Sequence, residues 1–458
     1  MNYRAGIGEL ESIIGDCIDP YSAQSYGIYL ERCQVDTPSD LVREVWDKVF
    51  DIRKEISTVV DFGAGDGRFA HVGKYDKYVG YEIDLARCEG ARLPGNAKII
   101  EGDAFEAEVW DADLCIGNPP YVRNQDLPLG WRIAVSEKLF NRLGVKVSGL
   151  ANAWQYFFLL ALASTNSKGV VALVIPYEWV SRPSAAALRE YISLNGWSVS
   201  VYRLRDDVFS DVITTASITV LDKTGDGSWK FFEQRPDGSY VQMLSEAGDS
   251  TGVLAYSRRS IKLDWHKPYA KRGLSPGTQE VLTLTEGDRA HFGLQIGRDV
   301  VPCVTTLRWL TTPLLSITEN VFEESFRSAG MKCWLINTST PISNRLREYL
   351  DSIPPERYQT QTCLKREEWW RFTFPKIPAL LAASGFVGKS PKVYKNSVGA
   401  VAVGGVSGIY GISKRNATSV VKALRCMDLT RKIVPHSNGL LKVEINQLNT
   451  ILNELNID

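Results

Sequence analysis

The sequence predicts an α/β fold, with a doubly wound sheet in the first half of the chain and a second domain after it. Two observations predict this: β-rich runs alternate with loops and helices between residues 40 and 220, and the early runs each end in glycine or an acidic residue. At 458 residues and 44% hydrophobic content, the chain can bury more than one core. The turn-rich stretch 222–232 predicts domain boundaries of 1–225 and 226–458.

The first predicted strand, 57–62, contains Asp61 and leads into the turn Gly63-Ala64-Gly65-Asp66-Gly67. Glycines allow a tight turn and a close approach of the backbone to a ligand. The turn lacks the Gly-Lys-Ser/Thr ending of a phosphate loop, which disfavours nucleoside triphosphate hydrolysis. Taken alone, this glycine pattern is equally typical of an ordinary turn.

The next two predicted strands end in carboxylates. The run 78–81 leads to Glu82, which can accept hydrogen bonds from both hydroxyls of a ribose, and 97–100 leads to Asp103, which can accept from an adenine amino group. The alternative for each carboxylate is a helix N-cap. Three consecutive strand ends with suitable residues indicate a nucleoside site better than any one of them does.

The fourth predicted strand, 112–117, ends in Asn118-Pro119-Pro120-Tyr121. Prolines lack the backbone N–H, so the strand must stop there, and Asn118 lies at a carboxyl end, where open α/β sheets bind ligands. The Asn118 side-chain oxygen and the Pro119 carbonyl are two acceptors, and Tyr121 adds a flat aromatic face. This combination suits a planar amino group that is held and stacked. The alternative is a simple strand-to-turn connection.

An apolar helix over 152–163 and a buried strand over 169–176 continue the first domain. Beyond residue 232 the pattern is irregular and predicts no particular fold. A pair of tryptophans, Trp369-Trp370, is expected to be core rather than surface on burial statistics.

Charge divides the chain. Residues 1–230 hold 24 Lys and Arg against 32 Asp and Glu, and residues 231–458 hold 29 against 21, although the net charge is zero. Within 361–450 the counts are 14 and 4. A basic half predicts a polyanionic partner, and the alternative is an ordinary solvated surface. The candidate basic contacts are Lys365, Arg366, Arg371, Lys376, Lys389, Lys392, Lys395, Lys414, Arg415, Lys422 and Arg425.

Several classes of protein are disfavoured. The eight cysteines form no Cys-x-x-Cys pair and the four histidines are isolated, so we expect reduced thiols and no metal site. We see no apolar run of transmembrane length and no apolar signal region after Met1. A cytoplasmic protein without a membrane partner is the expectation.

The order of these segments resembles the S-adenosylmethionine-dependent methyltransferases and, more narrowly, the N6-adenine DNA methyltransferases of the gamma arrangement. In that family a Thr-Pro segment precedes the glycine turn, as Thr37-Pro38 does here. The resemblance covers about residues 20 to 225. The matching segments are 61–67, 81–84, 102–105, 118–123 and, more loosely, 207–210.

The resemblance implies a Rossmann-like methyltransferase sheet followed by a C-terminal α+β DNA-recognition domain. It implies methyl transfer to N6 of a flipped-out adenine in double-stranded DNA, by a monomer whose cognate restriction endonuclease, if any, is a separate chain. The implied catalytic residues are Asn118, Pro119, Pro120 and Tyr121, with Tyr121 and Phe209 stacking on the target base. The implied S-adenosylmethionine-binding residues are Thr37, Asp61, Gly63, Gly65, Glu82, Asp103, Phe105 and Asn118.

Other functions stay open. Protein-glutamine methyltransferases share Asn-Pro-Pro-Tyr, but they look shorter, and the more than two hundred residues that follow the first domain here favour DNA. An RNA adenine is a closer variant. A non-catalytic DNA- or cofactor-binding protein of this fold is disfavoured because Asn118, Tyr121, Glu82 and Asp103 are all present.

Overall fold

The computed structural model describes residues 35–107, 110–205, 207–209, 215–243, 267–311, 313–339, 341–430, 433 and 441–455. The predicted features at residues 20–34 and at Ser210 lie outside these ranges. The chain divides into two compact units, residues 1–252 with 436–438 and residues 253–435 with 439–458.

A nine-stranded sheet forms the centre of the first unit. Its strands are β1 (Thr58–Phe62), β2 (Lys77–Glu82), β3 (Ala97–Glu101), β4 (Ala112–Gly117), β5 (Thr165–Pro176), β6 (Ser198–Arg203), β7 (Ala216–Asp222), β8 (Trp229–Gln234) and β9 (Tyr240–Gln242). Their order is β3-β2-β1-β4-β5-β7-β6-β8-β9. Strands β3, β2, β1, β4 and β5 are parallel neighbours, and β7 runs antiparallel to both β5 and β6. This mixed but mainly parallel sheet confirms the predicted α/β class of the first half.

The helices of the first unit cover its sheet. They are α1 (Ser39–Ile52), α2 (Leu85–Gly90), α3 (Leu129–Leu143), α4 (Ala153–Ser164) and α5 (Ala186–Leu194). Helix α1 is amphipathic and buries one face, including Val45 and Trp46, in the core that also holds Leu114 and Ala172 of the central strands. Helix α4 is apolar nearly all round and contacts β1, β4 and β5, as expected for a core helix.

The sheet extends past residue 225, where the sequence predicts the end of the domain. After β7 the turn-rich stretch leads into β8, which pairs in parallel with β6, and β9 then pairs antiparallel with β8. The turn residues mark a change of direction here, and the chain returns to the open edge of the same sheet. The physical reason is that Gly and Asp specify turn geometry, which is the same within a domain as at its end.

The second unit combines smaller sheets with short helices. Three sheets have the orders β10-β19-β15-β17-β13, β11-β14-β12-β18 and β16-β20. The strands are β10 (Tyr269–Lys271), β11 (Thr283–Leu284), β12 (Val300–Val304), β13 (Ser316–Ile317), β14 (Trp334–Ile336), β15 (Leu380–Ala383), β16 (Gly385–Phe386), β17 (Val393–Asn396), β18 (Val401–Ala402), β19 (Val406–Tyr410) and β20 (Leu441–Lys442). The helices are α6 (Gln279–Leu282), α7 (Glu286–His291), α8 (Glu319–Phe322), α9 (Asn344–Asp351), α10 (Gln361–Leu364), α11 (Ala417–Cys426) and α12 (Ile445–Glu454).

Trp370 lies in a buried cluster of the second unit and Trp369 packs against that cluster, so the expectation that this pair is mainly core is confirmed. Among the residues that the structure describes, no helix is both long enough and apolar enough to span a bilayer.

Candidate active site

A cleft lies at the carboxyl ends of β1 to β4, and it encloses about 1350 Å³ with the open solvent at its mouth included. Carboxyl ends of parallel strands meet at one edge of a sheet, which is where the sequence analysis expects a ligand. The predicted site residues that border the cleft are Thr37, Gly63, Gly65, Glu82, Asp103, Phe105, Asn118 and Pro120. Asp61, Pro119, Tyr121 and Phe209 do not border it.

The glycine turn after β1 is held against the end of β2. The backbone N–H groups of Gly63 and Ala64 donate to the carbonyl oxygen of Tyr81 over 2.8 and 2.9 Å. Gly65 has a φ of +58°, a conformation that other residues rarely adopt, and a Cβ there would lie 2.9 Å from the guanidinium of Arg87. The backbone conformation therefore favours glycine at position 65, whereas the flexible Arg87 side chain could move to admit a Cβ.

Glu82 joins the glycine turn to the loop after β2. One carboxylate oxygen accepts from the Gly65 N–H over 2.8 Å, and the other accepts from the N–H groups of Ile83 and Asp84 over 2.9 and 3.0 Å. The side chain is 8% exposed and borders the cleft. A carboxylate has about four lone-pair sites, so Glu82 keeps capacity to accept from a ligand hydroxyl.

Asp103 is a helix N-cap, one of the two roles that the sequence left open. One oxygen accepts from the Phe105 N–H over 2.9 Å and caps the short 3₁₀ helix Ala104–Glu106, while the other lies 3.4 Å from the indole nitrogen of Trp131. The same side chain borders the cleft. Phe105 is buried beside it, with edge-to-face contacts to Trp131 and Phe157 at centroid distances of 5.3 and 4.9 Å.

Asp61 lies inside the sheet instead of facing the cleft. Its side chain is fully buried, and the Tyr78 hydroxyl donates to one oxygen over 2.6 Å. The other oxygen, Oδ1, has no hydrogen-bond partner among the described residues. Burial, the largest cause, raises the pKa of this carboxyl to about 7. A Cβ on Gly117 would come within 2.2 Å of Oδ1, so Asp61 packs directly beneath the end of β4.

Asn118 follows β4 and contacts the predicted Thr-Pro segment. Its amide nitrogen lies 3.1 Å from the hydroxyl of Thr37 and 3.4 Å from the carbonyl oxygen of Val35. Its amide oxygen is buried and has no hydrogen-bond partner within the described part of the chain. The structure therefore brings two distant sequence segments together at the cleft and leaves one acceptor unsatisfied there.

Tyr121 is anchored by its hydroxyl, which donates to the carbonyl oxygen of Val174 at the end of β5 over 3.0 Å. Burial of that hydroxyl raises its pKa above the ordinary value for tyrosine. The residue as a whole is only partly buried. Its orientation is therefore fixed at the hydroxyl end while part of the side chain stays accessible.

Phe209 lies in the buried cluster between α1 and the central strands, with 8% of its surface exposed. The resemblance implies a stacking role for this ring, but the described structure packs it as a core residue, the local alternative. A large apolar side chain next to a strand has the same sequence pattern in both roles, so its neighbours in the fold decide between them.

The loop after Tyr121 is fixed to the start of α4. The Ala153 N–H donates to the Val122 carbonyl oxygen over 2.9 Å. The Asn124 N–H donates to the Asn152 side chain over 2.9 Å, and the Asn124 side chain donates to the Ala151 carbonyl oxygen over 3.0 Å. Sequence reasoning missed these two asparagines because asparagine is common in loops and no motif distinguished them.

Sequence reasoning also missed an ionic cluster at the edge of the cleft. Asp36 pairs with Arg87 over 2.9 Å and with Arg68 over 3.0 Å, and Arg68 also pairs with Asp66 over 2.6 Å. The hydrogen bond from Arg68 lowers the pKa of the Asp66 carboxyl. Asp36, Arg68 and Arg87 lie far apart in the sequence, and only their shared position beside the glycine turn identifies them as a cluster. No group of three or more His, Cys, Asp or Glu side chains in the described ranges could hold a metal ion.

With this geometry established, comparison with known proteins is informative. Residues 95–209 match the family model described as Eco57I restriction-modification methylase. This segment of the chain is therefore similar to restriction-modification methylases. The matched residues include Asp103, Asn118 and Tyr121, but they exclude the glycine turn and Glu82.

The chain is also similar to a curated protein, the type II methyltransferase M.XamI of Xanthomonas campestris pv. amaranthicola. The two chains are 25% identical over 231 residues. The match covers 47% of this chain and 42% of that relative, so the chain spans less than half the length of the relative that it matches.

The chain also matches several solved structures over part of their length. One is that of the DrdV–DNA complex, 10% identical with a TM-score of 0.48, covering 84% of this chain and 49% of that one. Another is the type IIG restriction endonuclease BpuSI, 12% identical with a TM-score of 0.43, covering 93% and 61%. A third is a type I restriction-modification methyltransferase subunit from Streptococcus thermophilus, 19% identical with a TM-score of 0.39, covering 50% and 54%.

Proposed function

We propose that this chain transfers a methyl group from S-adenosylmethionine to N6 of a flipped-out adenine in duplex DNA, as the modification enzyme of a restriction-modification system. The observation that carries the proposal is the position of Asn118. It borders the same cleft as Glu82 and Asp103, and its amide oxygen is buried without a partner among the described residues. A buried acceptor without a partner costs about 1–3 kcal/mol, which an arriving N–H donor would recover.

The residues of the cleft fit S-adenosylmethionine. Glu82 can accept from the ribose hydroxyls, Asp103 can accept from the adenine amino group, and the glycine turn allows close approach of the backbone. Phe105 offers an apolar surface for the purine ring. When bound, the cofactor supplies an electrophilic methyl group.

Asn118 and Pro119 would hold the target amine. The adenine N6 nitrogen is a poor nucleophile because its lone pair is delocalised into the ring. Hydrogen bonds from N6–H to the Asn118 amide oxygen and the Pro119 carbonyl favour a tetrahedral nitrogen with a localised lone pair. By analogy with oxyanion holes, each well-placed group is worth about 3–4 kcal/mol in the transition state.

The lone pair then forms the new N–C bond while the bond from the methyl carbon to sulfur breaks, its electron pair staying on sulfur. The N6 nitrogen is itself the nucleophile, so no cysteine nucleophile is required, and the methylated amine releases one proton to solvent without a dedicated general base. The base must leave the duplex, which costs a few kcal/mol, and stacking on Tyr121 offsets part of that cost. We assign the stacking to Tyr121 alone, since Phe209 is packed in the core.

The partner in this proposal is double-stranded DNA, bound by one copy of the chain, and any cognate endonuclease would be a separate protein. The 14 basic and 4 acidic residues within 361–450 support a polyanionic partner.

The deciding experiment offers labelled S-adenosylmethionine and the full chain to duplex DNA, RNA and a protein lysate separately. We expect label in N6-methyladenine of duplex DNA. If label appears only in RNA adenine or only in glutamine, the chain methylates that substrate and the proposal is wrong. If none of the three substrates is labelled, the chain is a binding protein without methyltransferase activity.

Asn118→Ala tests the assigned chemistry. Removal of the amide oxygen should reduce methyl transfer by at least about 100-fold, because one well-placed hydrogen-bonding group contributes a factor of that order. Affinity for S-adenosylmethionine, measured by calorimetry, should change little since Glu82 and Asp103 remain. Turnover close to that of the wild type would contradict the role of Asn118.

A further inference from the structure

The side-chain amide of Asn118 has two possible orientations, and its neighbours choose one. A terminal amide rotates between two nearly equivalent positions that exchange its oxygen and nitrogen. The carbonyl oxygen of Val35, 3.4 Å away, can only accept a hydrogen bond, so the amide nitrogen must face it. The same nitrogen lies 3.1 Å from the Thr37 hydroxyl, which is the shorter of the two contacts.

Only this orientation leaves the oxygen free to accept. With the amide reversed, an N–H group of Asn118 would face the N–H group of the target amine, and two donors cannot bind each other. The Val35 carbonyl oxygen decides between the two positions, because a hydroxyl can both donate and accept and so fits either end of the amide. The Thr37 hydroxyl, the closer partner, holds the amide in the position that results. The Thr37 hydroxyl therefore affects the chemistry, although it contacts the amide nitrogen of Asn118 and not the oxygen that would bind the target amine.

Thr37 is itself held in place. It is 3% exposed, and its carbonyl oxygen accepts a hydrogen bond from Arg68. The preceding residue, Asp36, pairs with Arg68 and Arg87. Because the hydroxyl belongs to a buried and tethered residue, it can impose its geometry on the amide.

We propose that Thr37 is a positioning residue for methyl transfer: its hydroxyl holds the Asn118 amide in the orientation that the Val35 carbonyl selects, with the amide oxygen directed to the target amine. This goes beyond a role of Thr37 in holding the cofactor, and it rests on the proposed function. Thr37 touches neither the transferred methyl group nor the amine, and it acts through Asn118.

The test compares Thr37→Val with Thr37→Ser in the full chain. Valine has nearly the shape of threonine but no acceptor, whereas serine keeps the hydroxyl and loses a methyl group. Single-turnover rates are measured with saturating S-adenosylmethionine and duplex DNA, and the dissociation constant of the cofactor is measured by calorimetry. Thr37→Val should lower the saturating rate about 10- to 100-fold, because misplacing a reacting group by about 1 Å has an effect of that size. Thr37→Ser should restore most of the rate.

Two outcomes would overturn the inference. Thr37→Val with a wild-type saturating rate and only a raised cofactor dissociation constant would limit the hydroxyl to cofactor binding. Equal losses in Thr37→Val and Thr37→Ser would assign the effect to packing. The wild-type protein in the same assay tests the proposed function separately, and if it methylates RNA or glutamine the two variants are compared on that substrate, since Asn118 would hold that amine too.

Discussion

Asp61 carries a carboxyl group inside the first sheet, where only the Tyr78 hydroxyl donates to it among the described residues. Burial favours the neutral form and raises its pKa to about 7. Between about pH 4 and pH 7 the folded protein therefore keeps a proton that the unfolded chain has released. Since the folded state binds more protons there, this group makes the protein less stable as the pH rises through that range.

Asp61→Asn should remove this pH dependence. At pH 5 the wild-type carboxyl is neutral and resembles the amide, so the two proteins should have similar free energies of unfolding. At pH 8 the wild type carries a buried charge, and the variant should gain about 2–3 kcal/mol relative to it. Urea denaturation of both proteins at pH 5 and pH 8 measures the difference. A pH-independent difference would show that Asp61 does not titrate in this range.

At the scale of elements, the end of β4 is where the sheet and the site depend on each other. Gly117 has a φ of +151°, and a Cβ there would lie 2.2 Å from Asp61 Oδ1. The next residue is Asn118, whose amide would have to be placed to within about half an ångström for the proposed methyl transfer. Any side chain at 117 must therefore displace either the buried carboxyl or the strand end.

Gly117→Ala should destabilise the protein by about 1–3 kcal/mol and lower the rate of methyl transfer at least about tenfold. The matched control is Gly130→Ala, in the first turn of α3, where a Cβ would meet nothing within 4 Å. That change should leave activity intact and stability equal or slightly higher. Thermal unfolding and single-turnover methylation of both variants provide the comparison, and equal effects in the two would refute the packing argument.

The same scale explains which elements the sequence could predict. The predicted strands β1 to β4 are confirmed. Strands β1, β2 and β4 are mostly buried and form apolar runs, whereas β3 is the edge strand and is only partly buried. Strand β5 begins at Thr165, four residues before the predicted start, because its first residues are polar and partly exposed. The strands β8 and β9 could not be predicted, since they are short edge strands with a mixed pattern.

The site residues that could be predicted from the sequence are those that a motif within one continuous segment identifies, such as Asn118. The contact between Asn118 and Thr37 spans 81 residues, and periodicity carries no information about such a contact. The difficulty with Phe209 is different. The family resemblance implies that its ring stacks on the target base, whereas the structure packs the ring in the core.

At the scale of the whole molecule, the structure divides the basic residues of the second unit. Lys392 donates to the carbonyl oxygens of Arg308 and Leu310, and Arg425 donates to the carbonyl oxygen of Val393. These two side chains therefore form hydrogen bonds within the second unit. Others are exposed and available for phosphates. They are Lys365, Arg371, Lys376, Lys389, Lys414, Arg415 and Lys422, of which Arg371 also pairs with Glu368.

The double variant Lys414→Ala/Arg415→Ala should weaken binding of duplex DNA and reduce its salt dependence. Each lost phosphate contact lowers the slope of log affinity against log salt by about 1, so the pair should lower it by about 2. Lys54→Ala, an exposed lysine of the acidic first unit, serves as the control and should leave the slope unchanged. Fluorescence anisotropy at salt concentrations from about 50 to about 300 mM measures it, and unchanged slopes in both variants would exclude these two residues as phosphate contacts.

The hydrogen bonds of Glu82 have a consequence for which nucleotides the cleft admits. Backbone N–H groups at a glycine turn commonly form a nest that binds phosphate. Here the N–H groups of Gly65, Ile83 and Asp84 already donate to a carboxylate of the protein itself. A phosphate at this turn would be repelled by the Glu82 carboxylate and would find these N–H groups already hydrogen-bonded. The protein therefore places its own carboxylate against these N–H groups, which disfavours a phosphate at this turn.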